Sequence, residues 1–392
     1  MKRKALLLSI FILVLFASST PTWAIALRYT LTDLGSFGGG RSHASDVNEN
    51  GQVVGYSEDS GANGHAFIWT RETGMTDLGW LPGGGYASAT GVNDAGHAVG
   101  FGDQGSGIWP NYAFKWTPNE GMNTLPNASA WQSSAFAINN SEQIVGYRKS
   151  TGGERPNHAY LWEADGTYRD LGTYSGAGVY AYSYAYDIND HGQIVGTASW
   201  GDYTLVTHAA MWNAAGAVTD LGVLPGGEMS EAYAVNEGGQ VVGYSFTQVD
   251  GAARAFLLQP GIGMLNLGVL LGYTDSVAHD VNSQTCAVGW SYKTVDQKRV
   301  YRASLWNPGG GLIDLNETID PGLGWTISRA NAINERGWIV GSALNSAGQE
   351  RAVLLTPVPE PSSVAALILG MLGGSVCCIK RRRARALSEL VG

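Results

Sequence analysis

Three histidines occupy one recurring position: His65 in His-Ala-Phe-Ile-Trp, His158 in His-Ala-Tyr-Leu-Trp and His208 in His-Ala-Ala-Met-Trp. Imidazole is the commonest metal-binding side chain, and three would suit zinc. Residues that recur once per structural unit are held apart by that recurrence, however. Tyr112, Arg254, Arg302 and Arg351 fill the same position elsewhere. A strand-end structural role follows. The Asn-x-x-Gly segments, such as Asn189-Asp190-His191-Gly192, lack the regular carboxylates and closing Glu of a calcium loop and read as turn caps. Calcium remains open only for the longer acidic loops; no other cofactor is expected. Leu81-Pro82-Gly83-Gly84-Gly85 has no Gly-Lys-Ser/Thr and leads into a strand, which argues against phosphate cradling. No serine nucleophile elbow is present. Cys377 and Cys378 lie near the C-terminus, so Cys286 stands alone in the body, without an internal disulfide partner.

A different chemistry suits the aromatic set Trp80, Trp109, Trp131, Tyr174, Tyr180, Trp200, Tyr203, Tyr273 and Trp325, with Asp103, Asp202, Asp275 and Arg41 in the same linking segments. Aromatic faces stack on the C–H faces of sugars, while carboxylates and amides bond the hydroxyls. The alternative is that these rings cover strand ends against one another. Glycoside cleavage would need two carboxylates at a set separation across one site, which acids on different units could supply at a channel mouth. Tyr180, Tyr182, Tyr184 and Tyr186 have strand spacing and share one face, which reads as packing between units.

The elements that must position these residues repeat. Within His43–Gly79, four short apolar runs, Ala44–Asn48, Gln52–Tyr56, Ala66–Thr70 and Met75–Gly79, are each bounded by Gly, Asn, Asp or Ser, the pattern of strand and turn. Aligning on the Asn that ends the first run gives Asn48, Asn93, Asn139, Asn189, Asn236, Asn282 and Asn334, at spacings of 45 to 52. A Gly-rich second run follows each. The third run carries the His-Ala-Phe motif or its variants, and the fourth reads Asp-Leu-Gly at Asp33, Asp77, Asp170 and Asp220. These motifs resemble the bacterial extracellular HAF repeat over about Tyr29 to Thr356, a resemblance that implies repetition and no established activity.

Seven units of four short strands, about 47 residues each, predict an all-β, seven-bladed β-propeller. The first Asp-Leu-Gly strand, Tyr29–Gly35, precedes any complete unit, and the last unit lacks one, so the N-terminal strand is expected to close the last blade. The other phasing, with Asp-Leu-Gly opening each blade, is the alternative, and a β-solenoid or stacked sandwiches are the rival folds. In an antiparallel blade both short turns fall on one face. The longer second-to-third and fourth-to-first links then share the other, where binding usually resides.

Both ends read as processing segments. Residues 1–26 have a basic start, an apolar run and Ala24-Ile25-Ala26, the pattern of a signal peptide; an uncleaved anchor is the alternative. After the repeat domain, 27–357, comes a tail, 358–392. It holds Pro359-Glu360-Pro361, an apolar run over 364–379 that suits a transmembrane segment, and the basic end Lys380, Arg381, Arg382, Arg383 and Arg385. This tail resembles the PEP-CTERM sorting signal, which implies processing by an exosortase-type enzyme in exopolysaccharide-producing bacteria. The two ends hold eight of the 24 cations and two of the 33 acids, Glu360 and Glu389, leaving a body near −15. That charge argues against nucleic acid and anionic lipid as partners. The expectation is an exported, membrane-anchored, then cell-surface or extracellular protein that binds or scaffolds material, with polysaccharide as the leading partner. A polysaccharide-modifying or -degrading enzyme and a purely structural matrix protein are the alternatives.

Overall fold

Short runs of apolar and small residues, interrupted every few positions by Gly and Asn, fold into strands and little else. The computed structural model describes residues 27–105, 111–128, 132–149, 156–174, 176–178, 180–201, 206–213, 216–247 and 251–359. The expected signal peptide, apolar tail segment and basic end lie outside these residues, as do Glu360 and Pro361. Among the described residues no helix is long and apolar enough to cross a membrane.

Seven four-stranded antiparallel sheets succeed one another. Blades 1 to 6 span residues 38–77, 87–124, 133–172, 183–222, 230–268 and 275–314, each a simple meander. Blade 7 takes three strands from 326–357, and Tyr29–Asp33 supplies its outermost strand, pairing Tyr29 with Pro357 and Asp33 with Val353. The protein is therefore a seven-bladed β-propeller closed by its N-terminal strand. The phasing expected from the Ala-rich first run holds: the seven first strands are innermost.

Blades pack through second- and third-strand side chains of one sheet against the first strand of the next, as Val99 and Ala113 do against Ala135 and Ile138. Phe67, Phe114, Trp162, Trp212 and Phe256 are fully buried, one in each of blades 1 to 5. Each large apolar side chain so buried contributes about 1.5–3 kcal/mol. The Ala of the His-Ala-Phe motif (Ala66, Ala113, Ala159, Ala209, Ala255, Ala303, Ala352) is buried in every blade, where a larger side chain would have no room.

Polar groups join the blades at both ends of the first strands. On the short-turn side, each alignment Asn donates its Nδ2 to the backbone carbonyl of the corresponding Asn in the next blade. The series runs Asn48 to Asn93, then Asn139, Asn189, Asn236, Asn282 and Asn334, and returns from Asn334 to the Asn48 carbonyl at 3.0 Å. Seven buried amides thus form a closed ring. Each Oδ1 meanwhile accepts its own turn's N–H groups, as Asn236 does from Gly238 and Gln240, both at 3.0 Å. On the long-loop side, buried serines such as Ser183 and Ser230 accept the third-strand Ala N–H of the preceding blade at 2.9 Å and donate to that blade's Asp-Leu-Gly carbonyl.

Link lengths agree with the two-face expectation in blades 2 to 5, whereas the second-to-third link is no longer than a first-to-second turn in blade 1 (60–63) and blade 7 (345–349) and is shortest in blade 6. There Ala287–Val295 and Lys298–Asn307 extend into a projecting hairpin, and the second-to-third link is only Asp296 and Gln297, both in the left-handed region at φ 49° and 63°.

Candidate functional site

All seven first strands contain the same irregularity. Pairing with the second strand skips one residue: between Ala44 and Asp46, Ala89 and Gly91, Ala135 and Ala137, Ala185 and Asp187, Ala232 and Ala234, Ala278 and Asp280, and Ala330 and Ala332. These are β-bulges, which re-aim a side chain and are common beside functional sites. Their cause is visible in the partner strand. Gly55, Gly100, Gly146, Gly196, Gly243, Gly289 and Gly341 each lie under a first-strand carbonyl (of His43, Ser88, Ser134, Tyr184, Glu231, Val277 and Arg329 respectively) where a Cβ would collide with backbone. Glycine in the second strand is what lets the first strand bulge.

The bulged residues are Ser45, Thr90, Phe136, Tyr186, Tyr233, His279 and Asn331, and all seven line one central cavity of about 480 Å3. That volume is typical of small-molecule sites, about 300–1,000 Å3. The wall is two-sided. Phe136, Tyr186, Tyr233 and His279, from blades 3 to 6, form a continuous aromatic arc with ring centroids 5.4, 5.3 and 5.3 Å apart. Ser45, Thr90 and Asn331 form the facing polar wall. The His279 Nδ1 meets the Asn331 carbonyl at 2.8 Å and must carry the proton there, which leaves Nε2 as an acceptor. Burial, with Arg329 nearby, lowers the pKa of both His279 and His43 and keeps them neutral.

Asp46, Asp187 and Asp280 also line the cavity. Each bridges two blades: one oxygen accepts its own following N–H, and the other accepts the N–H of Val92, Val235 or Ile333 in the next blade, at 2.7–2.8 Å throughout. Burial pushes Asp46 and Asp187 up to about 6, and Asp280, with Asp187 and Asp46 adding repulsion, up to about 8.

The loop residues singled out from sequence are dispersed by comparison. Trp109, Trp131, Tyr203 and Asp202 lie outside the described residues. Tyr174 and Trp200 stack at 4.4 Å, with Tyr174 buried and its hydroxyl donating to the Ala209 carbonyl. Trp80 donates to the Gly64 carbonyl and packs on His65. Tyr273 lies under Lys293, and Tyr180 and Trp325 are half-buried. Asp103 pins the N–H groups of Gly85 and Tyr86, and Asp275 accepts from Ala253. Arg41 pairs with Glu350 at the surface. Among the described members Arg41, Tyr174 and Asp275 each reach a neighbouring blade, Trp80 and Asp103 brace the segment 78–86, and Tyr174 stacks with Trp200. The tyrosine run divides: Tyr184 and Tyr186 stack with centroids 6.1 Å apart, and Tyr186 reaches the channel as well as packing between blades.

The recurring histidines have a local explanation. His65, His158 and His208 pair through Nδ1 with Asp77, Asp170 and Asp220 of the Asp-Leu-Gly strand, at 2.8, 2.8 and 3.0 Å. Each Asp also caps the N–H of the Gly two residues on. Among the described residues no group of three or more His, Cys, Asp or Glu is placed to hold a metal ion.

No family model matches the chain, and no curated protein matches it. Solved structures do. A puromycin hydrolase S511A mutant complexed with PGG is 12% identical, with a TM-score of 0.50, over 80% of this chain and 53% of that one; this chain thus spans about half of its length. TolB from Acinetobacter baumannii, at 12% identity and TM-score 0.37, matches over 78% of this chain and 79% of its own. The SapL1 lectin in complex with alpha methyl fucoside, at 11% and 0.39, matches over 70% and 95%. At these identities the likeness is one of fold.

Proposed function

We propose that this chain is an exported propeller that binds a glycan in its central channel, as a surface or matrix binding protein and not as a catalyst. One observation carries the reading. The repeats keep the Ala before the bulge, the Asn after it and the Gly beneath it. The bulged residue itself takes six identities in seven blades: Ser, Thr, Phe, Tyr, Tyr, His and Asn. A scaffold that varies one inward position while holding its supports constant has the form of a binding site on a rigid frame. The aromatic arc supports stacking on sugar rings, and the facing hydroxyl, amide and imidazole groups supply hydrogen bonds. Export through residues 1–26 and exosortase-type sorting through 358–392 belong to the same proposal and rest on the sequence motifs.

The test is retention on a glycan array by the wild-type protein, Tyr186→Ala, Tyr233→Ala and Trp200→Ala. Loss of one stacking ring is expected to weaken binding roughly tenfold, from about 1.4 kcal/mol of contact, whereas Trp200→Ala leaves it unchanged. No retention of any glycan would sink the reading, as would loss on Trp200→Ala with Tyr186→Ala silent.

The raised pKa values of Asp46, Asp187 and Asp280 keep a glycan-cleaving reading in second place. Both oxygens of each carboxylate already serve backbone N–H groups, which favours bracing. Release of reducing sugar, abolished in Asp280→Asn, would reverse that order.

A further inference from the structure

Among the described residues Arg329 is the one arginine or lysine lining the channel cavity. It stands on the innermost strand of blade 7, five residues before Asn334, as His43 stands five before Asn48 in blade 1. Its guanidinium lies over the Tyr301 ring at 4.4 Å and over Trp290 at 5.5 Å. The two rings hold it in place. No carboxylate pairs with it among the described residues, in a chain where acids outnumber cations 33 to 24. A guanidinium stacked on aromatic faces keeps its N–H edge free for planar, two-point recognition.

We infer that the channel selects a glycan residue bearing a carboxylate, a uronic acid, whose carboxylate pairs with the Arg329 edge while its ring lies against the Tyr233 and His279 end of the arc. This inference rests on the channel reading proposed above and adds the ligand's charge to it. The three aspartates do not occupy the same depth. They sit two residues before their Asn, so Arg329 lies roughly 7–10 Å nearer the long-loop face at about 3.3 Å per residue. The acidic body repels a long polyanion laid across the surface, so recognition is confined to this one inward cation.

A pH signature follows. His43 and His279 are neutral beside Arg329; Glu350 and Arg41 also act on His43. An anion bound among these groups favours their protonated forms, so binding takes up protons and tightens as pH falls. The aspartates act in the same sense, because Asp280 and then Asp46 and Asp187 lose negative charge between about pH 8 and 6. The uronate stays ionised over that range, as carboxylates do. A cationic amino sugar would weaken as pH falls.

The experiment is calorimetric titration of the purified protein with galacturonate, galactose and glucosamine oligosaccharides at pH 5.5 and 8.0, repeated for Arg329→Gln, Arg329→Lys and Tyr186→Ala. The inference expects galacturonate to bind more tightly than galactose, and more tightly at pH 5.5. Arg329→Gln should cost galacturonate roughly 10–100-fold, the range of a charged hydrogen-bonding pair, and galactose little. Arg329→Lys should fall between. The ratio of the two affinities is read within each variant, so a modest loss of stability does not disturb it. Equal affinity for the two sugars, an unchanged ratio in Arg329→Gln, or preference for glucosamine overturns the inference. If that happens while Tyr186→Ala still weakens binding roughly tenfold, about 1.4 kcal/mol of stacking contact, the glycan channel survives without its charge selectivity. If no oligosaccharide binds, both fall.

Discussion

Replacing Asn236 tests whether the seven-amide ring is a structural bond or a by-product of turn capping. Its Nδ2 donates to the Asn282 carbonyl at 2.9 Å and to Gln240 Oε1 at 2.7 Å, and its Oδ1 accepts from Gly238 and Gln240 at 3.0 Å. Asn236→Ala removes four hydrogen bonds from a buried site, at about 1 kcal/mol net each, so about 4 kcal/mol in all. Unfolding entropy of about 2.1 cal/mol/K per residue gives about 0.7 kcal/mol/K for the propeller, and the expected fall in Tm is about 6 °C by scanning calorimetry. Asn345 is the control. It caps the same kind of turn, accepting from Ala347 and Gln349, but it is only half-buried and its amide reaches only Gln349. Asn345→Ala should cost about 1 kcal/mol or less, near 1 °C. Asn236→Asp separates the two halves of the amide. It keeps both turn-capping acceptors but sets a carboxylate against two acceptor oxygens, so at pH 7.5 it should be at least as damaging as Ala. The folded-state pKa of that new carboxyl is raised. Its penalty is therefore present at high pH and shrinks as pH falls through the raised value, because a protonated carboxyl can donate to one of the two oxygens. Wild-type stability in Asn236→Asp at pH 7.5, or a cost in Asn345→Ala equal to that in Asn236→Ala, would refute the ring as a source of stability.

Two further predictions concern stability. Asp280 has a folded-state pKa near 8, well above its unfolded value, so the native state holds the extra proton between about pH 4 and 8. Stability should therefore fall as pH rises through that window, and Asp280→Asn should flatten the slope of Tm against pH; an unaltered slope would show that Asp280 is not the titrating group. Glu142 occupies a turn position that is Gly51, Gly96, Gly192, Gly239 and Gly337 in other blades, and it sits at φ 63°. It accepts from Asn93 at 2.9 Å and His97 at 2.7 Å and also meets Lys115, standing in for the Gln that caps the corresponding turn as Gln52 does for Asn48. Glu142→Gly relieves about 1 kcal/mol of backbone strain but loses two charge-assisted bonds of about 1.5–3 kcal/mol each, so a net cost of about 2–5 kcal/mol is expected in chemical denaturation. Adding His97→Gln should recover most of it, and a double variant no better than the single would refute the compensation.

Much of the architecture was legible because it is periodic. Asn48 and its six counterparts, the short turns and the unpaired strand Tyr29–Asp33 predict blade number, phasing and closure before any coordinate. The ring those asparagines form was not legible. A turn-capping Asn and one that also reaches the next blade look identical in sequence, and the second bond depends on how closely neighbouring sheets approach. The channel was missed for a related reason. Aromatic residues in long links attract attention because loops on a scaffold usually bind, and of the arc residues Tyr186 alone stands out in the sequence, where it reads as packing between units. The usable signal was Gly55 and its six counterparts. A glycine inside a strand marks a close backbone approach, and seven at one position mark seven bulges.

The bulge reverses the ordinary relation between repeat and function. On a regular first strand the residue before Asp46 would pair with the second strand, and its identity would be limited by sheet packing, as Ala44 is. Skipping that residue frees it from the ladder, so Ser45, Phe136 and His279 can differ without disturbing the strand pairing within their own blades. The cost of the freedom falls on other positions: a glycine beneath, an alanine before, and an inter-blade bridge after. Asp46, Asp187 and Asp280 supply that bridge where the following position is acidic, while Thr90 and Asn331 supply it from the bulge itself by donating to the carbonyls of Ala135 and Ala44. Blades 3 and 5 carry neither kind of bridge from Phe136 and Ala137 or from Tyr233 and Ala234. Those two blades are joined to their neighbours by ring contacts of Phe136 with Tyr186 and of Tyr233 with His279. The aromatic arc is thus both wall and fastening, and removing one of its rings should loosen a blade interface as well as weaken the site. Binding and stability are separable at Arg329, whose guanidinium bridges no two backbones, and coupled at Tyr233.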